Sequence, residues 1–235
     1  MSKRNAVWVT GSSSGIGKAL AAKFISQNHY VIGTARSKNI IDEINPDSSK
    51  SSLFKYIVND VSNSEDVFTL FTELSKDNFI NCLINNAGIT SFKPFAENSY
   101  SEIDSIIKTN LNGAIYTIKS VLPDMIANNT GTIINILSVA AKKTFVNSSV
   151  YAASKAGLEA FSKVLREEVR SNNIKVINIF PGATSTAIWP ESTIQEFSNK
   201  MMTPEKLANF IYDIYNNSSF LSPEELIVRP ISGDL

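Results

Sequence analysis

The chain has 235 residues, 43% of them apolar, enough to build a sizeable core in one α/β domain or two small ones. Its 22 Lys and Arg balance its 22 Asp and Glu, which argues against general nucleic-acid binding and against a basic membrane patch. One cysteine, Cys82, excludes an internal disulfide and suits a cytoplasmic setting; with a single histidine, His29, a structural zinc site is all but excluded and no metal is expected.

The first apolar run, Ala6–Thr10, is too short for a signal-peptide core or a membrane span and reads as a buried strand. It stops at Gly11-Ser12-Ser13-Ser14-Gly15-Ile16-Gly17, after which Ile16, Ala19, Leu20 and Phe24 recur at helical spacing. Strand, glycine loop and helix in that order let backbone N–H groups and the positive end of a helix meet an anion. A flexible Gly/Ser loop is the plainer reading, and the tight flanking by strand and amphipathic helix favours a phosphate cradle. The spacing G-x-x-x-G-x-G is a variant of the usual dinucleotide fingerprint.

Tyr30–Thr34 reads as the second strand, followed by Ala35-Arg36-Ser37-Lys38. Roughly 20 residues past the glycines, folds that bind NAD often carry an acid for the ribose hydroxyl. Arg36 after Ala35 in that place favours a 2′-phosphate, hence NADP(H) over NAD(H), with Lys38 nearby. Leu53–Val58 is the third strand; Asn59-Asp60-Val61 closes it at the edge where such sheets bind ligands. Val67, Leu70, Phe71 and Leu74 form a core-facing helical stripe. Ile80–Ile84 is the fourth strand and runs into Asn85-Asn86-Ala87-Gly88, a turn suited to close approach of a ligand.

A helix over Ser101–Leu111 places Asn110 beside its inward face, where its polar groups need partners. The next helix spans about Asn112–Asn128; Pro123 should kink it or cost it a hydrogen bond. Gly131–Leu137 is the fifth strand, ended by Ser138 at the ligand edge. Ser149 opens a helix on which Tyr151 and Lys155, four residues apart, leave one face a turn apart. A neighbouring ammonium is expected to lower the tyrosine pKa towards working pH. Ile174–Phe180 is the sixth strand, followed by Pro181-Gly182-Ala183-Thr184-Ser185-Thr186. Weak periodicity around Trp189 and Pro190 suggests a mobile lid over about 184–203. Thr203-Pro204-Glu205 starts a capped helix, and Leu226–Arg229 is a last strand. Alternating strands and helices without linker or repeat imply one domain, a parallel sheet covered by helices on both sides.

Thr10-Gly11-x-x-x-Gly15-Ile16-Gly17, Asn85-Asn86-Ala87-Gly88, Asn110, Ser138, Tyr151-x-x-x-Lys155 and Pro181-Gly182 occur together and in this order. In this the chain resembles the short-chain dehydrogenase/reductase family of the compact, single-domain type, from about Ala6 to Leu235. The resemblance implies a doubly wound Rossmann sheet of about seven strands, a nicotinamide dinucleotide and a catalytic tetrad. It implies Tyr151 as acid/base, Lys155 on the nicotinamide ribose, Ser138 orienting the carbonyl and Asn110 holding a proton-relay water. It implies cofactor contacts along the Gly11–Gly17 loop through Ser13, Ser14 and Ile16 and at Val61, with Asp60 at the adenine. Asn86 and Gly88 would border the adenosine ribose and Thr186 the carboxamide, with Ala87, Pro181, Gly182 and Thr184 as further cofactor contacts. Thr184 stands where the family more often has an aliphatic residue.

The activity so implied is reduction of ketones or aldehydes, or the reverse oxidation of alcohols. 3-Oxoacyl-carrier-protein reduction and a cofactor-sensing module without turnover are the alternatives. Phe92, Phe145 and Trp189 fall where they would line a pocket for an apolar substrate, although plain packing accounts for each as well. The family also implies a homodimer or homotetramer through the helices at Asn112–Asn128 and Tyr151–Ser171.

Overall fold

A computed structural model of the chain describes residues 3–37, 48–217 and 221–234. Strand β1 (Arg4–Thr10) leads through the glycine loop into α1 (Gly15–Ser26), then β2 (Val31–Ala35) and β3 (Phe54–Val58). Next come α2 (Ser64–Asp77), β4 (Asn78–Asn85), α3 (Tyr100–Ile107), α4 (Gly113–Ala127) and β5 (Gly131–Ile136). The chain closes with α5 (Ser149–Val169), β6 (Ile174–Pro181), α6 (Glu191–Phe197), α7 (Pro204–Asn216) and β7 (Glu225–Val228).

Among the described residues seven strands form one sheet in the order β3-β2-β1-β4-β5-β6-β7, and every neighbouring pair is parallel. The direction of winding reverses between β1 and β4, and ligands of open α/β sheets bind outside the strand ends at that reversal. Alternation along the strands fills two layers. Val7, Val9, Ile134, Ile136, Ile177 and Ile179 face α1 and α7, while Ala6, Trp8, Ile133 and Val176 face the other helical layer with Val67, Val121 and Leu165. Trp8, fully buried, places its indole N–H on Thr34 Oγ1 at 3.0 Å, so its one polar group is satisfied.

A polar seam crosses this apolar centre. Asn85, Asn135 and Asn178 lie opposite one another on β4, β5 and β6. Asn85 Nδ2 donates to Asn135 Oδ1 at 2.9 Å, and Asn135 Nδ2 donates to Asn178 Oδ1 at 3.2 Å and to Ser162 Oγ on α5 at 2.9 Å. Thr117 of α4 closes the other end by donating to Asn85 Oδ1 at 2.7 Å.

One local expectation is corrected. The helices around Asn110 are not separate: Lys108–Asn112 is a π-helical turn joining α3 to α4. Such a turn inserts a residue into the helical ladder and re-aims its side chains. Pro123 lies inside α4, which continues past it to Ala127. The segment read as a mobile lid contains α6 and a short 3₁₀ turn at Ser198–Lys200, and it is tied back where Ser185 N donates to Met202 O at 2.9 Å and Met202 N to Ala183 O at 2.9 Å. The cap at Thr203 forms as read, its hydroxyl accepting from Lys206 N at 3.3 Å.

Candidate active site

A cleft of about 740 Å³ runs along the C-terminal edge of the sheet. At one end is the loop between β1 and α1. Gly11 and Gly15 have φ of +64° and +54°, the left-handed region that favours glycine. A Cβ on Gly11 would stand 2.7 Å from Ala87 Cα, so the loop and the β4 turn approach as closely as backbones allow. Thr10 locks the two together: its Oγ1 accepts from Asn86 N and Ala87 N, each at 3.1 Å. Asn86 Nδ2 returns the bond to Gly11 O at 3.0 Å. Ser14 caps α1 without a side-chain hydrogen bond to it, and Ser13, Ser14, Gly15 and Ile16 border the cleft.

Arg36, exposed just past β2, lies on the cleft wall, as do Asp60 and Val61 beyond β3. Lys38 lies outside the described residues. Asp60 Oδ1 is held by Ser62 N at 2.9 Å and by Ser62 Oγ at 2.8 Å. Beside it, Asn59 is buried, borders the cleft and has an Oδ1 with no hydrogen-bond partner among the described residues. Sequence reasoning passed over Asn59, which looks like an ordinary turn residue until its burial is known.

The middle of the cleft gathers Ser138, Tyr151 and Lys155 from β5 and α5. Ser138 turns from β5 in extended conformation, its hydroxyl accepting from Ala140 N at 3.1 Å and hydrogen-bonding the Tyr151 phenol. Lys155 is buried, donates to Ile136 O at 2.7 Å and holds its ammonium 5.8 Å from the centroid of the Tyr151 ring. Gly88 faces this ammonium: a Cβ there would meet Lys155 Nζ at 3.5 Å. Burial draws the lysine down to about 8.

The tyrosine moves the other way from expectation. Burial raises its pKa and the hydrogen bond from Ser138 opposes that. Part of the Tyr151 surface still opens to the cleft, although the phenol lies deep in the fold.

Pro181, Gly182, Thr184 and Thr186 line the far wall. Phe92, Phe145 and Trp189 all border the cleft, and Phe92 stacks on Trp189 at 5.0 Å with 10° between the rings. Two expected site residues stand behind the wall. Gly17 packs inward, where a Cβ would come within 2.2 Å of Gly11 O, so its part is to let α1 close on the loop. Asn110 is fully engaged: its Oδ1 accepts from Ile89 N at 2.8 Å and its Nδ2 donates to Ile89 O at 2.8 Å and to Ser154 Oγ at 3.0 Å. It clamps the β4 turn to α5, and it meets Lys155 only across a small separate cavity of about 10 Å³, the size of one water.

Among the described residues no helix is long and apolar enough to cross a membrane, and no group of three or more His, Cys, Asp or Glu is gathered to hold a metal ion.

An oxidoreductase of the nicotinamide-dependent Rossmann class is what this sheet and cleft define. The short chain dehydrogenase model matches residues 5–196, and the chain belongs to that family. Sepiapterin reductase of Chlorobaculum tepidum is 30% identical over 97% of this chain and 96% of its own length. An uncharacterized oxidoreductase of Staphylococcus aureus is 29% identical over 95% of this chain and 96% of its own. Among solved structures, the closed form of serine dehydrogenase complexed with NADP+ superposes with a TM-score of 0.90 at 26% identity, over 98% of this chain and 96% of that one. A metagenomic short-chain oxidoreductase in complex with NADP gives 0.82 at 27% identity, over 97% of each chain.

The fold carries a pH signature. A lysine at about 8 in the fold and 10.5 when unfolded binds more protons in the unfolded state between those values. Charging it in the fold is therefore a penalty that is complete below about pH 8 and is lifted as pH rises through that window. The urea midpoint of the wild type is expected to gain on that of Lys155→Met between these limits; parallel profiles of the two proteins refute it.

Proposed function

We propose that the protein is an NADP(H)-dependent oxidoreductase that interconverts a ketone or aldehyde with an alcohol. The observation that supports it best is the hydrogen-bonded Ser138–Tyr151 pair with Lys155 beside it, opening onto the same cleft as the glycine loop and Arg36. The cleft suits the cofactor: its glycine loop gives an anion backbone access, Arg36 supplies a cation for a 2′-phosphate, and the orphaned Asn59 Oδ1 wants a donor such as a purine amino group. Bound NADPH supplies the hydride. The residues do the rest. Ser138 and Tyr151 donate hydrogen bonds to the substrate oxygen as negative charge grows on it. Tyr151 then delivers its proton, which its burial keeps in place at neutral pH. Lys155 is placed to hold the ribose next to the phenol, and the water-sized cavity between Lys155 and Asn110 suits proton resupply.

Residues 184–203 serve as a substrate lid in this reading, and the Phe92–Trp189 stack joins that lid to the β4 turn. Assembly as a dimer or tetramer would use the outer sides of α4 and α5, where Ile126 and Val164 are exposed; the mass in solution reports it.

The test is a fluorescence titration with NADPH and NADH, then a carbonyl screen with the tighter ligand. Arg36→Ala is expected to weaken NADPH by up to about fivefold, the modest worth of an exposed charge pair, and to leave NADH nearly unchanged. Tighter binding of NADH by the wild type overturns the NADP preference; cofactor binding without turnover of any carbonyl points to a sensing module instead.

A further inference from the structure

The end of the chain returns to the cleft. After β7 it turns at Pro230, where Gly233 N donates to Pro230 O at 2.9 Å, and sets Asp234 into the cleft wall with Phe145 and Val146. The Asp234 side chain is only 10% exposed. Two cations converge on one of its oxygens: Lys143 Nζ stands 2.8 Å and Arg229 Nη1 3.5 Å from Oδ2. The other oxygen, Oδ1, is buried and has no hydrogen-bond partner among the described residues. An ionised carboxylate offers about four acceptor sites, and a buried one left unpaired is unfavourable. Asp234 borders the cleft, so a molecule bound there lies against the residue that carries this oxygen.

The surroundings narrow what that molecule is. The stacked rings of Phe92 and Trp189 give the same cleft apolar, aromatic surface. Lys143 and Arg229 outnumber the single carboxylate between them, so the locality repels a further cation and favours an uncharged donor.

We propose that Asp234 is a specificity-determining residue whose Oδ1 accepts a hydrogen bond from a hydroxyl or uncharged N–H of the substrate, remote from its carbonyl. The cleft thereby selects carbonyl compounds with a flat, largely apolar body and a donor at the far end. This rests on the carbonyl-reductase reading of the site.

The substitution Asp234→Asn sharpens the test. Lys143 and Arg229 attract the amide oxygen to the Oδ2 position, which puts the amide NH₂ where Oδ1 was and turns an acceptor into a donor. The probes are p-hydroxyacetophenone and p-methoxyacetophenone with NADPH, which differ in the presence of that donor. The wild type is expected to prefer the hydroxy compound in kcat/KM, and the preference to fall by about tenfold to a hundredfold in Asp234→Asn. Asp234→Ala, which removes both oxygens, should lower it as well. A ratio identical in all three proteins overturns the assignment while leaving carbonyl reduction standing. Failure of the wild type to reduce either ketone, or any other carbonyl, overturns both.

Discussion

Tyr151→Phe is expected to lose turnover by at least about 10²–10⁴-fold, the usual worth of a positioned proton donor, while still binding NADPH as the wild type does. One oxygen is removed and nothing else. The ring keeps its place beside Lys155, and Lys155 keeps its bond to Ile136 O, so the wall that would hold the cofactor is undisturbed. Ser138 loses its phenol partner but retains Ala140 N. Single-turnover reduction and NADPH titration on the same purified variant separate chemistry from binding. Reduction at a near-normal rate would take Tyr151 out of its assigned role. The raised phenol pKa adds a direction: burial favours the protonated form that reduction needs, and oxidation of an alcohol, which needs the phenolate, should gain as pH rises.

Gly17→Ala is expected to act at the other end of the cleft and nearly as strongly. The added methyl would sit 2.2 Å from Gly11 O and 2.3 Å from Asn86 Nδ2. Neither group can step aside alone, since Asn86 Nδ2 is bonded to the carbonyls of Thr10 and Gly11 at 3.1 and 3.0 Å. The helix must back away from the loop or the loop from the β4 turn, and either opens the loop proposed to hold the phosphates. Overpacking of this kind costs about 1–3 kcal/mol of stability. NADPH affinity should drop by about a hundredfold, because loop amides that no longer converge lose charge-assisted hydrogen bonds worth roughly 1.5–3 kcal/mol each. Calorimetric melting and NADPH titration check the two effects. A variant that melts and binds like the wild type would show that α1 tolerates the methyl by a shift too small to matter.

The strands were legible because they are short apolar runs closed by turn residues, and the edge-of-sheet residues followed from where each run stops. Ser138, Asp60 and Gly182 needed only that rule and chain order. Spacing was enough to bring Tyr151 and Lys155 together on α5. What spacing could not supply was which neighbour wins. Lys155 is near the phenol and donates to the Ile136 carbonyl, yet burial decides the direction of the tyrosine shift. The π-helical turn at Lys108–Asn112 was illegible for a related reason: apolar periodicity continues through it, and the inserted residue shows only in the backbone bonds. Asp234 had no local signal at all, being a polar residue at the end of a chain until the fold sets it against Lys143 and Arg229.

The asparagine seam inside the sheet has a consequence for the chemistry outside it. A strand buried on both faces has little to stop it sliding, since Ile, Val and Leu at successive positions pack almost equally well one step along. Amides in line across β4, β5 and β6 remove that freedom: slip any strand by one position and a buried amide faces hydrocarbon. Each seam residue also stands a fixed count from a cleft residue, Asn85 one before Asn86, Asn135 three before Ser138 and Asn178 three before Pro181. With a rise of about 3.3 Å per residue, a single slip would carry Ser138 out of reach of the Tyr151 phenol. The seam thus works as a ruler, calibrating from within the core the separation at which the two hydroxyls meet.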